Sequence, residues 1–239
     1  MQKSLAILIP AYNEEKTIGN ILGRLAVLCR DGILPGISRC EIVVVNDGST
    51  DNTQAVIEDF KKANPDLAVK NFCQPNGGKG LAIRKAISEA DADILVVQDA
   101  DLENDPEDFA IMVPYITSGE YSVVYGSRFL NHHNKHSYIS FYLGGRLVSH
   151  VSNILYGLHL TDEPTCYKMF TREVAQSVSL KCTGFEFCPE FTAKVSKAGY
   201  NIQEVPIHYH PRSIEEGKKF SWKDGVEAIW TLIKYRFVK

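Results

Sequence analysis

The sequence predicts an α/β fold with a mainly parallel central sheet flanked by helices, and three observations carry that prediction. Short runs rich in Ile and Val, at Leu5 to Ile9, Ile42 to Val45 and Ile94 to Val97, read as buried strands. Stretches with helical spacing separate them, which is the βαβ pattern. Polar and turn residues follow each run directly, at the strand ends where open α/β sheets bind their ligands.

In chain order, Leu5 to Ile9 is the first strand. Glu14 to Cys29 then sets Ile18, Ile21, Leu22, Leu25 and Leu28 three and four residues apart, a helix with one apolar stripe that Gly32, Pro35 and Gly36 end. After the strand Ile42 to Val45, Asp51 to Ala63 forms a second helix and Val69 to Phe72 a further strand. A helix over Lys79 to Ala90 opens after Asn76-Gly77-Gly78, and Asp105-Pro106-Glu107, beyond the strand Ile94 to Val97, starts another. Past Arg128 the pattern loosens into a His-rich stretch (Asn131 to His136), a helix from Tyr142 to Tyr156 and a turn at Thr161 to Pro164. The end alternates again: a helix around Pro189 to Ala198, a strand Ile202 to Ile207, a polar loop Pro211 to Lys219 and a last helix from Trp222.

Composition limits the classes of function. A chain of 239 residues suits one domain, and 44% apolar with 23% charged residues is ordinary for a folded protein. The net charge of -3 supplies no field to gather nucleic acid, so none is expected as a partner. Six cysteines without a C-x-x-C pair, and no signal segment, read as reduced thiols of a cytoplasmic protein. The apolar runs are four or five residues long, against the roughly 20 that cross a bilayer, so no transmembrane helix is expected.

The richest strand end is Asp99-Ala100-Asp101, followed by Glu103. Carboxylates this close repel one another unless a cation neutralises them, so they are candidate ligands for a hard metal, Mg²⁺ or Mn²⁺. A solvated turn before the Asp105-Pro106-Glu107 helix start is the alternative. Ile9-Pro10-Ala11-Tyr12-Asn13-Glu14-Glu15 and Val45-Asn46-Asp47-Gly48-Ser49-Thr50-Asp51 follow the first two strands. Each alone is turn chemistry; at successive strand ends they line one crevice.

The order I-P-A-Y-N-E-E, V-V-N-D-G-S-T-D, N-G-G-K-G, Q-D-A-D-L-E and Y-G-S-R resembles the inverting family 2 glycosyltransferases of the GT-A fold, in the subgroup of dolichyl- or polyprenyl-phosphate mannose and glucose synthases. D-E-P-T-C-Y-K-M-F, G-F-E-F-C-P-E, E-V-P-I-H-Y-H-P-R and E-E-G-K-K-F-S-W-K-D-G carry the resemblance over nearly the whole chain. It implies a Rossmann-like domain over 1-239, with a nucleotide-sugar-binding half (1-128) and an acceptor-side half (129-239).

The resemblance also implies roles. Pro10, Tyr12 and Glu14 hold the nucleotide base and ribose, and Asp47 helps fix their edge. Lys79 touches the donor or steadies the crevice, unless it is a solvated helix-start lysine. Asp99 and Ala100 lie against the donor, while Asp99, Asp101 and Glu103 form the metal set, Glu103 standing where some relatives have glutamine. Asp101, Arg128 and Arg212 are the catalytic candidates. Arg212, Lys218 and Lys219 belong to a loop expected to close over the donor diphosphate, the plainer reading being a solvated loop.

On the acceptor side the resemblance implies that Arg128 binds a polyprenyl or dolichyl phosphate, with Arg146 as second candidate. A phosphate acceptor needs no strong base; a glycan hydroxyl would, and Glu186 and Glu190 are then the candidates, unless Glu190 caps or braces its helix. Val226, Ile229, Trp230, Ile233 and Phe237 share one helical face, with Trp222, Lys223, Lys234, Arg236 and Lys239 around it. That face packs on the domain core or lies on a membrane. Collecting the lipid calls for this helix, the Phe141 to Leu158 region or a membrane partner protein, and so for a peripheral place on the cytoplasmic face. His132, His133 and His136 have metal-compatible spacing but lie in a polar loop and take no role from the resemblance. A nucleotide-sugar pyrophosphorylase would carry a Gly-rich basic loop after the first strand, which Pro10 to Glu15 is not. A non-catalytic lipid-binding subunit would be favoured by loss of the carboxylates, which are present.

Overall fold

In the computed structural model, residues 2-30, 32-135, 138-212 and 222-238 are described. Seven strands, β1 (Lys3–Ala11), β2 (Ile37–Asn46), β3 (Ala68–Cys73), β4 (Ile94–Val97), β5 (Val123–Ser127), β6 (Lys168–Thr171) and β7 (Ile202–Pro206), form one sheet in the order β3-β2-β1-β4-β6-β5-β7. Every neighbouring pair is parallel except those of β6, which runs antiparallel to β4 and to β5. The helices are α1 (Ile18–Arg30), α2 (Thr53–Ala63), α3 (Lys79–Glu89), α4 (Phe109–Thr117), α5 (Ile139–Tyr156), α6 (Arg172–Ser177), α7 (Phe187–Lys197) and α8 (Trp222–Phe237).

β1 shows why its sequence is an unbroken apolar run. Leu5, Ile7 and Ile9 join the core on one face of the sheet, with α1 and α4, while Ala6 and Leu8 join the core on the other, with α3 and α7. A strand covered on both faces has no polar side to alternate with. β1 lies between β2 and β4, so the chain leaves it in opposite directions and a crevice opens at its carboxyl end.

Two expectations shift. The first helix begins at Ile18, not Glu14, because the Glu14 carbonyl first accepts the amides of both Thr17 and Ile18 in a turn. The helix read from Tyr142 begins at Ile139. β6 and α6 were not legible in the sequence: Lys-Met-Phe-Thr is four residues long and has no turn signal of its own.

Two glycines hold the crevice loops together. Gly78, at φ +94°, leads into α3 where a Cβ would lie 2.4 Å from the Thr183 carbonyl oxygen. Gly48, at φ +74°, follows β2 where a Cβ would lie 2.6 Å from the Asn76 amide nitrogen. Both positions need the left-handed backbone and the missing side chain.

Candidate active site

The loops after β1, β2 and β4 meet at the carboxyl edge of the sheet. Asn13 (φ 52°) and Leu102 (φ 60°) adopt left-handed backbone there without being glycine. Asn13 is held by its side chain, which accepts the Thr50 amide at 2.8 Å. Leu102 separates Asp101 from Glu103 and packs against the core, and the Glu103 amide turns back to donate to Asp101 Oδ1 at 3.1 Å. Non-glycine residues in this region store strain and cluster at functional sites. Nothing in the sequence distinguishes Leu102 from any other partly buried leucine.

The acidic cluster is divided between two cations. Lys79 Nζ lies 2.6 Å from Asp99 Oδ1 and 2.9 Å from Cys166 Sγ, so Lys79 is no solvated lysine. Burial raises the Asp99 carboxyl, but the Lys79 ammonium outweighs it and holds the group below its ordinary range. Arg212 takes the other two acids: its Nη2 donates to Asp101 at 2.7 Å and its amide to Glu103 at 2.9 Å, while Nη1 reaches Glu14 at 3.4 Å. Among the described residues, its Nε is buried without a partner. Burial, with Asp99 and Glu103 pushing the same way, drives Asp101 up to about 6 despite Arg212.

Each carboxylate of the expected metal set, Asp99, Asp101 and Glu103, is engaged by another group of the protein. Among the described residues no three His, Cys, Asp or Glu side chains stand together ready to hold a metal, because Asp99 answers Lys79 while Asp101 and Glu103 answer Arg212. The donor atoms themselves suit a hard divalent cation, being all oxygen, and Arg212 marks where the acids draw positive charge. Of the other loop cations, Lys218 and Lys219 lie outside the described residues, as does His136.

Pro10, Tyr12, Glu14, Ala100 and Asp47 all line the same cavity. The Asp47 carboxylate, however, is spent on the protein. Oδ1 accepts Gln74 Nε2 at 2.6 Å and the Gly77 amide at 3.0 Å, and Oδ2 accepts the Gly78 amide at 2.7 Å. Its work here is to hold the loop that presents Lys79.

Across the cavity Arg128 follows β5 and is clamped by Asp162. Its Nε and Nη2 each donate to that carboxylate at 2.7 Å, and its amide does so at 2.9 Å. Glu204 on β7 accepts the Thr161 and Asp162 amides, fixing the turn that carries the clamp. Burial works against the Arg128 charge and Asp162 more than restores it. The guanidinium also lies 5.3 Å from the Tyr209 ring centre. Because Asp162 is fully buried, Asp162→Ala is expected to leave Arg128 unpaired at a cost of about 3 kcal/mol. A urea-unfolding loss below about 1 kcal/mol would identify the pair as a solvated one.

The remaining candidates separate clearly. Arg146 donates Nη1 to the Thr161 carbonyl at 3.2 Å and is not among the cavity-lining residues. Neither is Glu186, which accepts the Thr183 and Gly184 amides at 2.7 and 2.8 Å. Glu190 is fully buried, accepts the Lys181 and Cys182 amides and pairs with Lys194. Burial raises its carboxyl, but Lys194 and those amides hold it below its ordinary range. Both candidate bases thus accept backbone amides, and Glu190 sits as its helix-bracing alternative describes. Sequence reasoning missed Cys166 and Tyr209, which complete the walls, and Asp162, which clamps Arg128 from behind them.

The cavity has a volume of about 860 Å³. It runs from the carboxylates past Arg128 to an apolar end between α5 and α8, lined by Phe141, Leu147, Val148, Val226 and Ile229. Such a shape accepts a ligand that is highly polar at one end and greasy at the other.

Comparison with known proteins places the chain in a family and a fold. The family described as Glycosyl transferase family 2 matches residues 6–178. A dolichyl-phosphate beta-glucosyltransferase of Trichomonas vaginalis is 29% identical over 96% of this chain and 72% of its own length. A UDP-N-acetylglucosamine–dolichyl-phosphate N-acetylglucosaminyltransferase of Methanococcus voltae is 30% identical over 86% of this chain and 85% of its own. In fold, the chain is similar to glucosyl-3-phosphoglycerate synthase from Mycobacterium tuberculosis, solved with Mn²⁺, UDP and glucosyl-3-phosphoglycerate. The TM-score is 0.72 at 18% identity, over 99% of this chain and 81% of that one.

Proposed function

The chain belongs to glycosyl transferase family 2 and has the GT-A fold, and from that premise we propose that it moves a hexose-type sugar from a UDP- or GDP-sugar to a polyprenyl or dolichyl phosphate. The observation that carries the reading is the single cavity joining the acidic strand ends to an apolar wall, with Arg128 between them. Two relatives whose names specify dolichyl phosphate support the acceptor class. In this reading the whole chain is one catalytic unit, residues 1-128 supplying the donor side and 129-239 the acceptor side.

Pro10, Tyr12 and Glu14 bind the base and ribose, and Asp47 acts on the donor through the loop it holds. Asp101 and Glu103, with Asp99 beside them, would hold Mg²⁺ or Mn²⁺, which would supply positive charge against the negative charge gained by the departing nucleoside diphosphate. Arg212 exchanges its carboxylates for the diphosphate when the donor arrives, and Lys218 and Lys219 join it. Arg128 orients the acceptor phosphate while Asp162 holds its guanidinium through Nε and Nη2. An oxygen of that phosphate bonds to the anomeric carbon as the bond to the diphosphate oxygen breaks, with inversion. The phosphate is already anionic near neutral pH, so no proton has to be removed. A hydroxyl acceptor would need one removed, and Glu186 and Glu190 are occupied by backbone amides.

The test is nucleotide release from a panel of UDP- and GDP-sugars with Mn²⁺ or Mg²⁺, with and without a short polyprenyl phosphate. Release that depends on the lipid supports the proposal. Donor turnover indifferent to the lipid would overturn the acceptor assignment, and failure to bind any donor would overturn the whole reading.

A further inference from the structure

Two of the six cysteines line the cavity, Cys166 in the segment leading into β6 and Cys188 in the first turn of α7. Neither has a part in the chemistry proposed above. Their thiols are hydrogen-bonded to each other, and each is tied to the wall of the donor end. Cys166 Sγ accepts from Lys79 Nζ at 2.9 Å, and the Cys188 thiol donates to the carbonyl of neighbouring Thr165 at 3.4 Å. Lys79 in turn pairs with Asp99 at 2.6 Å, and Asp99 also accepts a hydrogen bond from Cys166. Two thiols, an ammonium and a carboxylate thus form one chain of contacts that ends at the acids after β4.

A second pair shows what sets this one apart. The Cys29 and Cys40 thiols also touch, but they pack against the core on α1 and β2, and neither lines the cavity. A small solute that enters the cavity meets Cys166 and Cys188 instead. Two thiols in contact on such a wall can go on to a disulfide where an isolated one stops at a sulfenic acid. The hydrogen bond from Cys166 holds the Cys188 thiol below its ordinary range against burial, and Lys168 adds to the pull. Cys188 is therefore the sulfur that attacks first.

We propose that Cys166 and Cys188 are a reversible oxidation site for hydrogen peroxide, whose disulfide shuts the donor end of the cavity. The Cys188 sulfur attacks one peroxide oxygen, the O–O bond breaks and one water leaves, giving a sulfenic acid. The Cys166 sulfur then attacks the Cys188 sulfur, the S–O bond breaks, and the hydroxyl departs as a second water with the Cys166 proton. Both sulfurs are oxidised and both peroxide oxygens reduced. In the product the sulfurs stand about 2.05 Å apart, closer than any non-bonded contact, and Cys166 has no proton left to give Asp99. Lys79 keeps Asp99 but loses the thiol that accepted from it, which leaves a largely buried charge short of a partner. Pairing of the two cysteines stands alone; its consequence for the donor rests on the function proposed above.

Purified full-length protein, reduced and freed of thiol reagent, is treated with hydrogen peroxide, alkylated, digested and mapped by mass spectrometry. The expected result is a pair of peptides joined through Cys166 and Cys188 that dithiothreitol separates. Calorimetry on the same samples, with Mn²⁺ and UDP or GDP, is expected to show nucleotide affinity lowered on the order of tenfold or more, the usual cost of disturbing the partners behind a metal's ligands, and restored by dithiothreitol. Cys188→Ser, each sample compared with its own reduced form, is expected to abolish both the cross-link and the loss. Cys29→Ser is expected to leave both in place. Absence of the cross-link in the wild type would overturn the proposal, as would a cross-link that leaves nucleotide affinity unchanged or a loss that persists in Cys188→Ser. Reduced protein that binds neither nucleotide would overturn the transferase reading and the donor-site consequence with it, while the peptide map still decides whether the two cysteines pair.

Discussion

Asp101→Ala is expected to reduce sugar transfer about a thousandfold, since a metal at a developing diphosphate is worth several kcal/mol and each 1.4 kcal/mol is tenfold in rate. Asp101 combines deep burial with two acidic neighbours, so a cation gains most there. Mn²⁺ binding in the presence of nucleotide, measured by calorimetry, should fall in parallel; full transfer with lost metal binding would sink the assignment. Asp101→Asn carries a second consequence, visible without metal. The folded protein holds this carboxyl at about 6 against an ordinary 3.8, so it retains a proton that the unfolded chain has released. Stability from this group is present below pH 3.8 and is lost as pH rises to about 6. The asparagine variant should therefore gain on the wild type across that window and stay ahead above it. Urea unfolding of metal-free protein as a function of pH measures the difference, and a constant offset would show that the shift is not real.

Arg212→Ala is expected to move two measurements in opposite directions. Transfer should fall about 10²- to 10³-fold, the usual loss when a charged donor to a developing oxyanion is removed. Mn²⁺ affinity without nucleotide should rise on the order of tenfold, because the Arg212 guanidinium touches Asp101 and Glu14 and a cation must displace it from those oxygens. A purely structural arginine would weaken both, and a purely catalytic one would leave metal affinity unchanged. Arg212→Lys should recover part of the competition with metal and less of the transfer, lacking the fork that spans two carboxylates.

Much of the fold was legible because its signals are local. The runs at β1, β2 and β4 are apolar throughout, as only strands covered on both faces need be, and α1 repeats its leucines and isoleucines at the helical interval. β6 escaped notice because four residues cannot show a period, and its antiparallel direction depends on strands far away in sequence. Among candidate site residues, those just after strands, Tyr12, Glu14, Asp47, Asp99, Asp101 and Glu103, do reach one cavity. Glu186 and Glu190 were legible only as carboxylates. That they accept backbone amides follows from how the 181-184 segment folds back over α7, and no spacing rule announces it.

By itself, then, the sequence determined the class of sheet, the strand ends at which chemistry gathers and the resemblance that names it. These depend on hydrophobic period, turn chemistry and the order of short motifs, all readable along the chain. Only the tertiary structure decided which charges meet. Arg128 finds Asp162 34 residues on, and Arg212 reaches back 111 residues to Asp101. The tertiary structure also decided that α5 and α8 lie side by side with their apolar stripes outward. The physical reason is common to all three: an ion pair or a shared face needs two segments brought within a few ångströms, and that proximity is set by the packing of the sheet and its helices, not by either segment alone.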